Sequence, residues 1–169
     1  MGNPPSSHFA TSYFHLPIPQ LLLAPSSIFY LPSSTMMTFE DLEAWQQARQ
    51  LVKSLYNLTR TGALARDFGI SSQIQRAGVS IMSNIAEGFE RLHLQEKLQF
   101  YNVARGSSAE VRSLLYVIED NYAHFAQETA RLRESVVHIG KLTSGLIGST
   151  QSRRSRTARF LSSFFQLTA

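Results

Sequence analysis

Apolar residues recur at every third or fourth position through most of the chain, which is the spacing of one face of an α-helix. This pattern divides into four segments, and no alternating strand pattern competes with it between residues 38 and 150. Short connections between helices place neighbours side by side in opposite directions. The sequence therefore predicts an all-α fold, an antiparallel up-down four-helix bundle. The predicted helices span residues 39–60, 71–88, 93–122 and 127–147.

The second predicted helix has the widest apolar face, with small residues interleaved that would let a neighbouring helix approach closely. A serine at position 71 or 72 is predicted to cap its start. Gly88 is predicted to end it, because glycine readily takes the left-handed conformation that follows many helices. Two apolar stripes form the face, namely Ile70, Ile74, Ala77, Ile81 and Ile85, and beside them Gly78, Met82, Ile85 and Phe89.

The first and third helices carry further signals. Thr38 is predicted to open the first helix, because it is a capping residue followed by the acids Glu40 and Asp41. Glycine inside a helix costs about 1 kcal/mol relative to alanine. The apolar stripe nevertheless keeps its phase across Gly106, so the third helix is predicted to be continuous there.

The two ends of the chain differ from the predicted bundle, which occupies residues 38–149. Residues 1–35 hold all six prolines and no Asp, Glu, Lys or Arg, which predicts a disordered or irregular leader. The favoured interpretation is translated upstream sequence, with the native start at Met36 or Met37. Residues 150–169 form an Arg-rich tail that ends in several aromatic residues. Besides contact with nucleic acid through its arginines, binding to a membrane surface or to a partner is an alternative interpretation of this tail. No stretch is predicted to span a membrane.

Charge is distributed unevenly along the 169 residues, whose formal net charge is +4. All 12 acidic residues lie between Glu40 and Glu134, and the region extended through Lys141 holds 12 of the 16 Lys and Arg residues. The predicted bundle therefore has no net charge, and the whole excess of positive charge belongs to the tail. The chain has no cysteine, which excludes disulfides and thiolate metal sites and fits a cytoplasmic location. The tail cations are Arg153, Arg154, Arg156 and Arg159.

Motifs for catalysis, cofactors or metals are weak. A di-iron bundle site needs two Glu-x-x-His pairs and two more glutamates, whereas this chain has one such pair, Glu90 and His93, at a predicted turn. The sequence contains neither a nucleophile elbow nor a phosphate-binding loop. We therefore predict no catalytic, cofactor-binding or metal-binding residues.

Three motifs resemble the family of bacterial four-helix-bundle proteins named for reading frames in intervening sequences of large-subunit (23S) rRNA genes. Phe-x-x-Leu-x-x-Trp-x-x-Ala begins at Phe39, a long motif runs from Gln73 to Arg91, and Ala-Arg-Gly-Ser-x-x-Glu begins at Ala104. The resemblance covers about residues 38–149. The family usually has Phe-Pro and Glu in the first loop, and Gly62-Ala63-Leu64-Ala65 stand there instead. Matching motif residues include Gln73, Arg76, Ser80, Asn84, Glu87, Gly88, Arg91, Arg105, Gly106 and Ser107.

This resemblance implies a symmetric homo-oligomer, in related proteins a pentamer. The chain is also similar to the accessory protein of diversity-generating retroelements, which implies binding to RNA or DNA and to a reverse transcriptase through a basic surface. The candidate contacts are Arg76, Arg91, Arg105 and Arg112 in the bundle, and Arg153, Arg154, Arg156 and Arg159 in the tail.

The favoured interpretation of the four bundle arginines is pairing with acids such as Glu87 and Glu110, around or inside a subunit interface, because a neutral bundle has little charge to offer phosphates. The sequence thus predicts a non-enzymatic, self-associating accessory or scaffold protein that associates with nucleic acid. The alternatives are a partner-binding module without nucleic acid and a metal-dependent bundle enzyme.

Overall fold

A computed structural model describes the backbone of residues 37–166 and the side chains of residues 37–160. The predicted leader at residues 1–35 lies outside the described residues. Within that part of the chain there are four α-helices, three short 3₁₀ turns and no strand, so the predicted all-α bundle is confirmed. The helices are α1 (Glu43–Thr59), α2 (Phe68–Glu90), α3 (Leu94–Asn121) and α4 (Ala126–Gln166), and the turns are Phe39–Asp41, Gly62–Arg66 and Ala123–Phe125.

Consecutive helices run in opposite directions, because residues late in one helix contact residues early in the next. Helix α1 also packs against α4, so the four helices enclose one main core of leucine, isoleucine, valine and alanine side chains. Between α1 and α2 the contacts are Thr59 with Gln75 and Leu55 with Gly78. Between α2 and α3 they are Asp67 with Tyr122 and Ser80 with Ser107. Between α3 and α4 they are Glu119 with Thr129 and Gln95 with Arg154.

Helix α2 differs from the prediction at its start. It begins at Phe68, and its cap is Asp67, whose carboxylate accepts a hydrogen bond from the Ile70 N–H at 3.2 Å. The predicted serine cap is wrong, because Asp67 caps the helix as well as serine would and adds a turn before it. Ser71 is buried instead, and its hydroxyl donates to the Leu64 carbonyl at 2.9 Å.

Helix α2 also continues past Gly88, so the prediction that this glycine ends the helix is wrong. Gly88 is helical and buried, and a Cβ at this position would lie 2.5 Å from Tyr101 Cε1. The glycine therefore serves the close approach of α3. The end of α2 is stabilised by Lys97, whose ammonium donates to the carbonyls of Gly88 and Phe89.

Helices α1 and α4 also differ from the prediction at one end, whereas α3 agrees with it at Gly106. Thr38 opens the 3₁₀ turn before α1, where its N–H donates to the Asp41 carboxylate at 2.8 Å. Helix α3 runs through Gly106 without interruption, as predicted. Helix α4 extends to Gln166 rather than ending at residue 147. No proline follows, and the lower helix propensity of its glycines is not enough to stop a helix that has already formed.

Candidate functional site

An open groove of about 410 Å³ lies on the outer surface between α3 and α4. Three cationic side chains line it, Arg105 and Arg112 from α3 and Lys141 from α4, and no acidic side chain does. Small residues are prominent among the others that line it. The other lining residues are Ser108, Ala109, Val136, Val137, Gly140 and Ser144.

The sequence places these cations through helical periodicity. Arg105 and Arg112 are seven residues apart, which is two turns and about 10.5 Å along one face of α3. Each follows a fully buried residue, Ala104 and Val111, so core packing fixes the face on which the arginines lie. Lys141 follows Val137 by four positions and so lies on the same face of α4 as Val137, which also lines the groove.

A second depression, of about 680 Å³, adjoins the groove and shares Arg112 and Lys141 with it. It contains Tyr116, whose residue surface is 53% exposed. The guanidinium carbon of Arg133 lies 4.4 Å from the centre of the Tyr116 ring, and Arg133 is itself bound to the Glu119 carboxylate. This chain of contacts holds the aromatic ring in place from one face.

The three cations of the groove form no close ion pair, although Glu134 lines the adjoining depression together with Arg112 and Lys141. Within the described side chains, the ion pairs closer than 4.0 Å are Arg91 with Glu87, Arg133 with Glu119, and His138 with Glu43. Arg105, Arg112 and Lys141 take part in none of them. In the groove itself the local charge is therefore +3, although the bundle as a whole is neutral.

The interpretation that acids pair with the four bundle arginines, around or inside a subunit interface, stays a prediction for Arg76, Arg105 and Arg112, which form no ion pair within the described side chains of one copy. It holds for Arg91, which lies 3.5 Å from Glu87 and also stacks on the Phe100 ring. Glu110 accepts a hydrogen bond from Gln73 and not from an arginine. Periodicity could not show this, because pairing depends on which helix faces lie side by side.

The structure brings together only two of the predicted contact residues of the bundle, Arg105 and Arg112. Arg76 lies in a different groove, between α1 and α2, with Tyr56 and Gln75. The tail arginines lie on the long C-terminal part of α4, where residues 151–160 are all exposed. Arg154 reaches back to α3 and donates to the Gln95 side chain at 2.6 Å.

Several of the other motif residues bond within α2 or hold it against α3. The hydroxyls of Ser80 and Ser107 share a hydrogen bond at 2.8 Å, and Asn84 donates to the Ser80 carbonyl at 2.7 Å. Gly88 admits the Tyr101 ring. The exception is Gly106, because a Cβ there would meet no atom within 4 Å. The long motif is therefore mainly a packing motif.

The predicted Glu90 and His93 pair lies at the turn between α2 and α3, where Glu90 ends one helix and His93 precedes the next. In residues 37–160, no group of three His, Asp or Glu side chains could hold a metal ion. Over the part of the chain that the structure describes, no helix combines the length and apolarity that crossing a membrane requires.

Sequence reasoning missed Tyr116, Arg133 and Lys141. A signal for Tyr116 was present, because it follows Arg112 by four positions and so lies on the same face of α3. For Lys141 the signal was that no acid follows Glu134, which leaves α4 wholly cationic from there onward. The stacking of Arg133 on Tyr116 needs the register of α3 against α4, which the sequence does not contain.

Comparison with known proteins adds a family and a fold. The family model described as 23S rRNA-intervening sequence protein matches residues 40–145. A crystal structure of a protein with unknown function from the S23 ribosomal protein family of Bacteroides thetaiotaomicron VPI-5482 is similar in fold, with a TM-score of 0.58 at 20% identity. That likeness covers 62% of this chain and 95% of the other. No curated protein matches the chain.

The match ends before the arginines of the α4 extension, so these belong to this chain and not to the part it shares with the family model. The match includes all of α1, α2 and α3, the packing motif and the three cations of the groove. Because the family model spans well over half of the chain, the protein belongs to the 23S rRNA-intervening sequence protein family.

Proposed function

We propose that this protein is a non-enzymatic accessory protein that binds nucleic acid through the phosphate backbone. The observation that carries the proposal is the α3–α4 groove, where Arg105, Arg112 and Lys141 lie together without an acid. Phosphate and sugar groups account for half to two-thirds of the hydrogen bonds that proteins make to DNA, and arginine and lysine are among the side chains that make them.

The chemistry of the groove suits phosphate. Arginine presents a planar fork of N–H donors that binds two phosphate oxygens at once, and lysine adds a compact point charge. Arg105, Arg112 and Lys141 are exposed, so a polyanion can reach them. Association then releases counterions, which makes affinity depend on salt.

The C-terminal part of α4 enlarges the cationic surface. From Lys141 to the end of the helix every charged side chain is a cation, and Arg153, Arg154 and Arg156 are all exposed. Arg154 lies beside Gln95 near the start of α3, so the extension continues the same helix pair that forms the groove. A long polyanion could contact both parts together.

The test is filter binding of RNA and single-stranded DNA at several salt concentrations. In the groove variant, Arg105→Gln, Arg112→Gln and Lys141→Gln are combined. Each lost phosphate contact reduces the slope of log affinity against log salt by about 0.7–0.9. We therefore expect weaker binding and a slope lower by about 2 in the groove variant, counting two or three contacts.

The matched control combines Lys53→Gln, Arg66→Gln and Arg131→Gln, which removes the same charge from exposed positions elsewhere. The control should bind with nearly the slope of the original chain. Equal losses in both variants, or binding that is insensitive to salt, would contradict the proposal.

Light scattering of the same variants covers self-association, which the family resemblance led us to expect. If the groove variant dissociates an oligomer while the control does not, the groove is an interface between copies of the chain. That result would favour a scaffold or partner-binding role over binding of nucleic acid in this groove.

A further inference from the structure

We infer that the nucleic acid bound in the groove is single-stranded, with one base stacked on Tyr116 and the adjoining phosphates on Arg112, Lys141 and Arg105. This inference rests on the proposed function and names its ligand class. Its basis is the juxtaposition of an exposed, fixed aromatic ring and a cluster of cations without close ion pairs in two adjoining depressions.

Tyr116 has the properties of a stacking platform. Just over half of its surface is exposed, and the Arg133 guanidinium lies against the ring. Glu119 binds Arg133 from the side, so the ring is supported before any ligand arrives. A base that stacks on an ordered ring loses less free energy to ordering than one that stacks on a mobile ring.

Phosphate binding would take place one turn away. Arg112 precedes Tyr116 by four residues, which places their Cβ atoms about 5–6 Å apart on the same face of α3. A nucleotide spans a comparable distance from its base to its phosphate. Arg105 continues the line two turns further, where the next phosphates of a strand would lie.

The distribution of acids separates the two parts of the site. Glu134 lines the depression that contains Tyr116, whereas no acid lines the groove that contains Arg105. A carboxylate repels phosphate but accepts hydrogen bonds from base amino groups. The base is therefore assigned to the Tyr116 end and the phosphates to the Arg105 end.

A duplex fits this site less well. Packed helices lie only 8–10 Å apart, so the groove between them is narrower than a double helix. Bases inside a duplex are also stacked on each other and cannot offer a face to Tyr116. Single strands have free base faces, and proteins that bind them combine cationic grooves with aromatic platforms.

The experiment uses the full chain with Tyr116→Leu and Tyr116→Phe, and measures affinity for a single-stranded oligonucleotide and for a duplex of the same sequence. Removing one stacked base weakens binding about 5- to 150-fold. We expect this loss for Tyr116→Leu with the single strand, an unchanged salt slope, and near-original binding for Tyr116→Phe, which keeps the ring. A 2-aminopurine base in the oligonucleotide should show fluorescence quenching that Tyr116→Leu removes.

The control is Tyr56→Leu, which removes another tyrosine that has an arginine, Arg60, over its ring, here at 5.5 Å. That tyrosine lies in the α1–α2 groove, and its loss should leave the affinity unchanged. Urea denaturation of each variant checks that the fold is kept.

Two failures are distinguishable. If the strand binds with salt sensitivity through the groove cations, but Tyr116→Leu changes nothing or the duplex binds equally well, the single-strand inference is wrong and the proposed function stands. If neither nucleic acid binds with salt sensitivity, the proposed function fails and the inference fails with it.

Discussion

At the scale of single residues, one hydrogen bond joins two helix ends. The Tyr122 hydroxyl donates to the Asp67 carboxylate at 2.9 Å, and Asp67 also caps α2. The Ile70 N–H is the main cause that lowers the pKa of Asp67, and the Tyr122 hydroxyl adds to it. The same bond is the main cause that raises the pKa of Tyr122. The bond therefore needs an ionised aspartate and a neutral tyrosine.

Tyr122→Phe should be less stable than the original chain at neutral pH. The contribution of Asp67 is complete above its ordinary pKa of 3.8 and is lost as the pH falls through the lower folded value. The contribution of Tyr122 is complete below its ordinary pKa of 10.0 and is lost as the pH rises through the higher folded value. Urea denaturation from pH 2 to 11 should thus show a stability difference that shrinks at both ends. A constant difference across that range would contradict this account.

At the scale of helices, two glycines of the family motif have opposite surroundings. In Gly88→Ala the new methyl group would lie 2.5 Å from Tyr101 Cε1, in a buried place where the ring has little room to move. Overpacking costs about 1–3 kcal/mol and exceeds the gain of about 1 kcal/mol in helix propensity. We expect Gly88→Ala to lower the free energy of unfolding by up to about 2 kcal/mol, as measured by urea denaturation.

Gly106→Ala is the matched substitution, because it is also inside a helix but its Cβ would meet nothing within 4 Å. It should stabilise the chain by up to about 1 kcal/mol. The contrast would be refuted if both substitutions shifted the unfolding midpoint in the same direction.

The helices themselves could be predicted because burial repeats with the period of the helix. Their ends could not, because the end of α2 depends on Lys97 from the following helix, and the start of α2 on an aspartate that competes with nearby serines. Of the residues in the candidate site, Arg105 and Arg112 were predicted as contacts, and Tyr116 and Lys141 were not. Arg105 belongs to a recognisable motif and Arg112 and Tyr116 follow it on the same helix, whereas Lys141 joins them only through the register of α3 against α4.

At the scale of the whole molecule, positive charge and stability are carried by different parts. Arg153→Gln, Arg154→Gln and Arg156→Gln together reduce the formal net charge from +4 to +1. Because these side chains are exposed, each substitution should change the free energy of unfolding by less than about 0.5 kcal/mol. Binding to nucleic acid should lose affinity and part of its salt slope, as filter binding would show.

The triple substitution of Lys53, Arg66 and Arg131 again supplies the comparison at equal net charge. If both triple variants lose affinity equally, net charge alone governs binding and the position of the α4 arginines is irrelevant. A large loss of thermal stability would instead show that the extension packs on the bundle.

The length of α4 has a consequence for how its C-terminal part folds. A helix in isolation must first form a costly nucleus, whereas a helix already formed adds each residue at little cost. The bundle supplies that nucleus for residues 151–166, which need only propagate from it. Repulsion between Arg153 and Arg156, three positions apart, opposes this propagation, and a bound polyanion would relieve it. Under the proposed function, binding and helix formation in this segment would be coupled, and each would favour the other.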